Sequence, residues 1–373
     1  MKQLAPILLL VLFYCVPGRA DQLPIRTYTT ADGLARDSVH KIVSDPRGYL
    51  WFCTSDGLSR FDGYEFVNYN VAQGLPHRVV LDLLITRSGD YWLATQAGLV
   101  RFNPFAPAPD AKFKTYVPTQ RPASEIINSL YQDSAGTIWI STGNGLYTLR
   151  QNNGDWQLDY VTLGEKTDKR LDISSTVADS AGALWIGSEH GLFRRFPDGK
   201  IESFSEKDGL PHPHIRDILK DSDGTIWLAT GRGLCRLAAD IRPGQPIVAN
   251  LYTKKDGLLS DSVVALLRTS SGSLWLASPM GLSQFSPEPL PNGGHFVNYT
   301  RAHGLSDPEL RALAEDHDGD GNQKHDRKRP LAGALPPRNQ RHNENAGCKK
   351  RRRHPKNCQL NVPSAHDVEG QNG

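Results

Sequence analysis

Several things are scarce in this chain. Only five cysteines occur in 373 residues. Cys15 lies in the apolar leader, and Cys348 and Cys358 in the basic C-terminal stretch. That leaves Cys53 and Cys235, far apart and at different points of the sequence pattern. This is no disulfide framework, and the two read as small buried hydrophobes. The longest apolar stretch, Leu4 to Val16, is too short to cross a bilayer comfortably. No glycine-rich phosphate loop, nucleophile elbow, kinase motif or catalytic carboxylate pair stands out. No Phe, Tyr or Trp follows Tyr299.

Charge is unevenly spread. Residues 320–373 hold 12 Lys/Arg against 5 Asp/Glu, whereas residues 1–319 hold 31 against 35. The body therefore has no nucleic-acid signature. At the other end, Lys2, the apolar run and Gly18-Arg19-Ala20 have the layout of a cleavable signal, expected over 1–20.

Glycine (34) and proline (25) are plentiful, which favours short strands and tight turns over helices. They fall in register. Trp51, Trp92, Trp139, Trp185, Trp227 and Trp275 are spaced by 41, 47, 46, 42 and 48 residues. Each has a glycine three residues before it (Gly48 to Gly272) and another six after it (Gly57 to Gly281). A leucine follows the second glycine, and Thr or Ser stands three residues after the tryptophan. In residues 214–237 this becomes an alternating strand, a turn at Asp221–Gly224, a β-rich strand to Thr230, a second turn and a third strand. An aromatic fourth strand closes each unit, as at Tyr64–Tyr69 or Val248–Tyr252. Four antiparallel strands per 40–50 residues make a propeller blade. The expected fold is all-β: six complete blades and a partial seventh over residues 21–319, with a disordered tail over 320–373. Ile25–Thr29 matches a fourth strand, so the N-terminus should supply the outer strand of the last blade.

The pattern D-x-x-G-x-L/I-W-I-G/A-T-x-x-G-L-x-R-F, clearest at Asp179–Phe196 and Asp221–Leu237, resembles the two-component regulator propeller repeat. Thr86 and Thr269 replace the leading Asp in two units. The resemblance implies an extracytoplasmic, periplasm-facing sensor. Its parent receptor would be anchored in the inner membrane, able to dimerise, and coupled to a histidine kinase or diguanylate cyclase. The ligand would be a small molecule or glycan; no cofactor, metal, nucleic acid or catalytic residue is implied. After Gly319 the pattern stops, which reads as truncation or a frameshift.

The repeated positions read as architecture, so function is expected where blades differ. In a propeller, the joints between blades share a face with the turns between second and third strands. That face offers Arg36, His77, Arg78, Asn144, Glu189, His190, His212, His214 and Arg232 as candidate ligand contacts. Two other readings stay open: a lyase or hydrolase built on Glu189, His190 and His212, and an interaction scaffold using the blade rims. Asp316–Gly321 resembles the start of a calcium loop. However, Arg327 stands where the bidentate Glu is needed, so an Asp-Gly turn is the better reading.

Overall fold

The computed structural model describes residues 25–107, 112–118, 125–152, 154–164, 170–242, 244–316, 330–333 and 358–360. The signal segment, the calcium-like run beyond Asp316 and the basic run Lys349–Arg353 lie outside these residues. Six sheets of four antiparallel strands follow one another as blades of a ring, giving a β-propeller. The innermost strands of blades 1 to 6 are Val39–Ser44, Val80–Ile85, Ile127–Gln132, Ile173–Ala178, Ile215–Lys220 and Ala265–Arg268. A seventh sheet is smaller. Its inner strand is Leu313–Glu315 and its outer strand is N-terminal, Arg26–Tyr28. Pro330–Gly333 and Cys358–Leu360 lie between them, so two short pieces of the basic stretch belong to strands. Cys358–Leu360 pairs in parallel on both sides, unlike any strand of the six complete blades. Among the described residues, no helix is long and apolar enough to cross a membrane.

The core is not central. Seven apolar clusters sit one at each blade interface. Each repeat tryptophan points into the wedge shared with the next blade. Trp51, for example, packs against Leu75, Val80, Tyr91 and Leu93. Burying roughly 200 Å² of ring at about 25 cal/mol per Å² contributes on the order of 5 kcal/mol before side-chain entropy. Trp156, outside the repeat, lies on the last strand of blade 3 and meets Trp92 edge-on at 5.4 Å. Cys53 and Cys235 are free and fully buried, and burial pushes the Cys235 thiol up to about 12.

The leading Asp of the repeat, Asp45 in blade 1, has four partners. One oxygen of Asp45 accepts from the Arg47 and Tyr49 amides at 2.8 and 3.0 Å, closing the turn. The other accepts from Trp51 Nε1 at 3.0 Å and from Tyr91 of blade 2 at 3.1 Å. Asp133, Asp179 and Asp221 likewise hold Trp139, Trp185 and Trp227. In blades 2 and 6 the hydroxyls of Thr86 and Thr269 cap the turn instead. A hydroxyl supplies the turn bond, which explains why threonine is tolerated there.

The Thr or Ser after each tryptophan closes the other turn. All six donate to the carbonyl of the second glycine at 2.7–2.9 Å. That glycine is obligatory. Gly233 has φ +117°, and a Cβ there would sit 2.3 Å from the Tyr252 carbonyl oxygen. The amide of Gly233 donates to the Asp261 carbonyl in the following joint, and Gly57, Gly98 and Gly145 reach Arg78, Glu125 and Leu171 in the same way. These bonds put second-turn and joint on one face, as the blade pattern requires.

The joints themselves are 3-10 turns with reciprocal caps. Thr29 and Asp32, Asn70 and Gln73, Ser205 and Asp208, and Thr253 and Asp256 each form a capping box. The leucine after each joint glycine is buried: Leu34, Leu75, Leu210, Leu258 and Leu305.

Candidate functional site

The centre of the ring is a channel, and an irregularity in the inner strands shapes its lining. In blades 1 to 5 the pairing register shifts at the same place, just after a fully buried Val or Ile: Val39, Val80, Ile127, Ile173, Ile215. A bulge adds one residue and breaks the alternation, so two consecutive side chains face the channel. The first gives an upper ring: His40, Leu81, Asn128, Ser174, Arg216, Val264 and Arg311. The second gives a lower ring: Lys41, Asp82, Ser129, Ser175, Asp217, Ala265 and Ala312. Together with the next strand positions they enclose about 320 Å³.

Much of this polarity fastens blade to blade. Asp82 accepts from the Leu130 amide of blade 3 at 2.9 Å. Asn128 donates to Asp172 at 2.6 Å and to the Ile173 carbonyl at 2.8 Å in blade 4. Ser174 donates to the Ile215 carbonyl at 2.5 Å and Ser175 to Asp217 at 3.1 Å, both in blade 5. Asp217 accepts from the Leu266 amide of blade 6 at 2.9 Å. Burial raises Asp217, with Lys41 and its hydrogen bonds pulling the other way. Lys41 stands deep in the molecule but in the open channel, and attraction to Asp82 and then Asp217 raises it. His40 shares a hydrogen bond with Ser55 at 3.0 Å. Burial, then the facing Arg311, lower His40 to about 4, so it is neutral at pH 7.

On the joint face the channel opens into a mouth of about 370 Å³, lined by His40, Leu81, Asn128, Asp172, Ser174, Glu189 and His214. Two of the nine sequence candidates, Glu189 and His214, therefore line it. Burial, and after it Arg216 and His212, lower His214; Glu189 and Asp172 oppose this. His190 is exposed and lies 3.6 Å from Glu189. His212 and His77 are bound up in their own joints, each accepting through Nδ1 from the amide two residues on, at 3.1 Å. Arg78 reaches back to the Ser55 carbonyl at 3.3 Å and to Asp56 at 3.9 Å. Asn144 and Arg232 sit in the second turns, their amides tied to Thr142 and Thr230. Arg36 and Arg232 are exposed. The structure thus gathers Glu189 and His214 at the mouth, with His190 and His212 next to them, and brings the other five to neither.

The inner-strand residues were not among the candidates. A signal for them exists: in every blade they follow the buried Val, Ile or Leu that starts the strand. Reading strict alternation sends one of each pair into the core; only the bulge shows that both face the channel. Among the described residues, no three His, Cys, Asp or Glu side chains are grouped to hold a metal.

The profile described as "Two component regulator propeller" matches residues 121–144 and 209–232, so the chain carries that repeat. Both segments run from a joint or inner strand into the tryptophan turn. No curated protein matches the chain. Among solved structures, the extracellular domain of the hybrid two component system BT3049 from B. thetaiotaomicron is similar at 23% identity and TM-score 0.63. The match covers 77% of this chain and 37% of that one, so the chain spans little more than a third of that domain. Virginiamycin B lyase from Staphylococcus aureus is similar at 16% identity and TM-score 0.56, over 75% and 89% of the two chains. Likeness at this identity speaks for the fold.

Proposed function

We propose that this chain is the ligand-sensing propeller of an extracytoplasmic receptor of the two-component type, and that its ligand enters at the channel mouth. One observation carries the reading. A chain in which two segments match the regulator propeller repeat opens a mouth of about 370 Å³ on the joint face, lined by Asn128, Asp172, Ser174, Glu189 and His214 among others. The similar extracellular domain of a hybrid two component system supports the placement outside the cytoplasm. Hydrogen bonds from blade to blade hold the walls in place, so a ligand meets groups already oriented. Glu189, His214, Asp172 and Asn128 offer both donors and acceptors, which suits a hydroxyl-rich molecule.

The lyase alternative has less behind it. Glu189 and His190 are close but both exposed, and the Nδ1 of His212 is taken by the backbone. A catalytic base needs a free nitrogen aimed at substrate.

The test is a thermal-shift and calorimetric screen of the chain with a panel of mono- and oligosaccharides, sugar acids and small hydroxy acids. A binder whose affinity falls at least tenfold in His214→Ala and Glu189→Gln supports the mouth. A binder indifferent to both substitutions, or no binder in the panel, overturns it.

A further inference from the structure

Four arginines have a buried Nε that lacks a hydrogen-bond partner: Arg60, Arg194, Arg216 and Arg268. Three are compensated at the rest of the guanidinium. Arg60 lies over the Tyr49 ring at 4.5 Å. Arg194 pairs with Asp179 at 2.9 Å, and Arg268 pairs with Asp221. Arg216, in the upper channel ring, has no ion pair or ring contact among the described residues. Burial is the one influence resolved on it, and it lowers the pKa. A guanidinium fork matches a carboxylate in plane and in spacing.

The two carboxylates of the channel itself are already committed. Asp217 and Asp82 each accept from two backbone amides. Beside Arg216 stand the hydroxyl of Ser174 on blade 4 and, one blade further round, the amide of Asn128, with the ammonium of Lys41 in the lower ring. We propose that the channel below the mouth takes a small hydroxycarboxylate, its carboxylate on Arg216 and its hydroxyls toward Ser174 and Asn128. This rests on the sensor reading and gives its ligand a chemical class. A volume of about 320 Å³ has room for an acid of four to six carbons.

The experiment is calorimetric titration of the full chain, at low ionic strength, with malate, tartrate and citrate. Erythritol is the neutral control and inorganic sulfate the anion control. At least one acid should bind one to one, while erythritol does not. Arg216→Gln should weaken it tenfold or more, and Arg216→Lys, which keeps the charge but not the fork, should fall between. Lys41→Gln should cost less than Arg216→Gln. Far-ultraviolet dichroism and melting temperature establish that each variant is folded. Failure of all three acids to bind overturns the proposal, as does undiminished binding by folded Arg216→Gln. Equal binding of sulfate would mean an adventitious anion only, which also overturns it. Should a neutral saccharide bind through His214 and ignore Arg216, the acid is refuted and the sensor reading stands. Should an acid bind through Arg216 while no ligand depends on His214 or Glu189, the channel site stands and the mouth does not.

Discussion

At the scale of single residues, Asp45 concentrates the most consequence. Its carboxylate is 2% exposed and has four donors, two from its own turn and two from rings. Asp45→Ala strands those donors in a dry wedge, at a net cost of about 1–3 kcal/mol for the first unsatisfied group. Urea unfolding should show a loss of roughly 3 kcal/mol or more, and Asp45→Thr, which imitates blades 2 and 6, should recover part of it. His40 gives a pH signature. An unfolded chain takes up the proton near 6.5 and the fold only near 4. The stability His40 confers is therefore complete above pH 6.5 and drains away as pH falls from there toward 4, by up to about 3 kcal/mol. His214, also lowered, acts in the same direction. Urea midpoints at pH 7, 5.5 and 4.5 should fall in step, and His40→Gln should flatten part of the slope.

At the scale of strands and turns, the repeat was readable because a blade is a short-range object. Trp, Thr and Gly meet within nine residues, and the bonds that close each turn, such as Thr230 to the Gly233 carbonyl, are local. The fourth strands were placed to within two residues, Phe66–Tyr69 inside Tyr64–Tyr69 and Val248–Tyr252 unchanged. The bulge was not readable, because it is set by the closeness of seven inner strands around an axis. No short window of sequence reports that crowding. Hence the loop residues Arg78 and His212 stand out from the sequence as candidates, while Lys41 and Arg216 do not. Gly233→Ala tests the turn. With φ +117° and a carbonyl 2.3 Å from the new Cβ, it should cost several kcal/mol, of the order of 3 or more. Gly48→Ala is the contrast: it also has positive φ but meets nothing within 4 Å, and should cost about 1 kcal/mol. Chemical denaturation of the pair separates the clash from the backbone strain.

At the scale of the whole molecule, closure depends on the N-terminal strand. Arg26–Tyr28 completes the seventh sheet, and Tyr28 packs edge-on against Phe61 at 4.9 Å and Phe66 at 5.7 Å in blade 1. A chain beginning at Thr30 should lose that wedge and expose the edge of the smallest sheet. Size-exclusion chromatography should show association, and melting should broaden or split.

The seven joints of the hoop are not alike. Between blades 2 and 6, side-chain hydrogen bonds clasp each inner strand to the next. The joint between blades 7 and 1 is an apolar clasp of Tyr28, Leu34, Val39, Phe52, Phe61, Ala312 and Ala314. Apolar attraction fades on cooling and polar bonds do not share that loss. Chilling should therefore loosen this molecule from its seam outward: near freezing, amide exchange should quicken at Arg26–Tyr28 and Val39–Ser44 before it does at Ile173–Ala178.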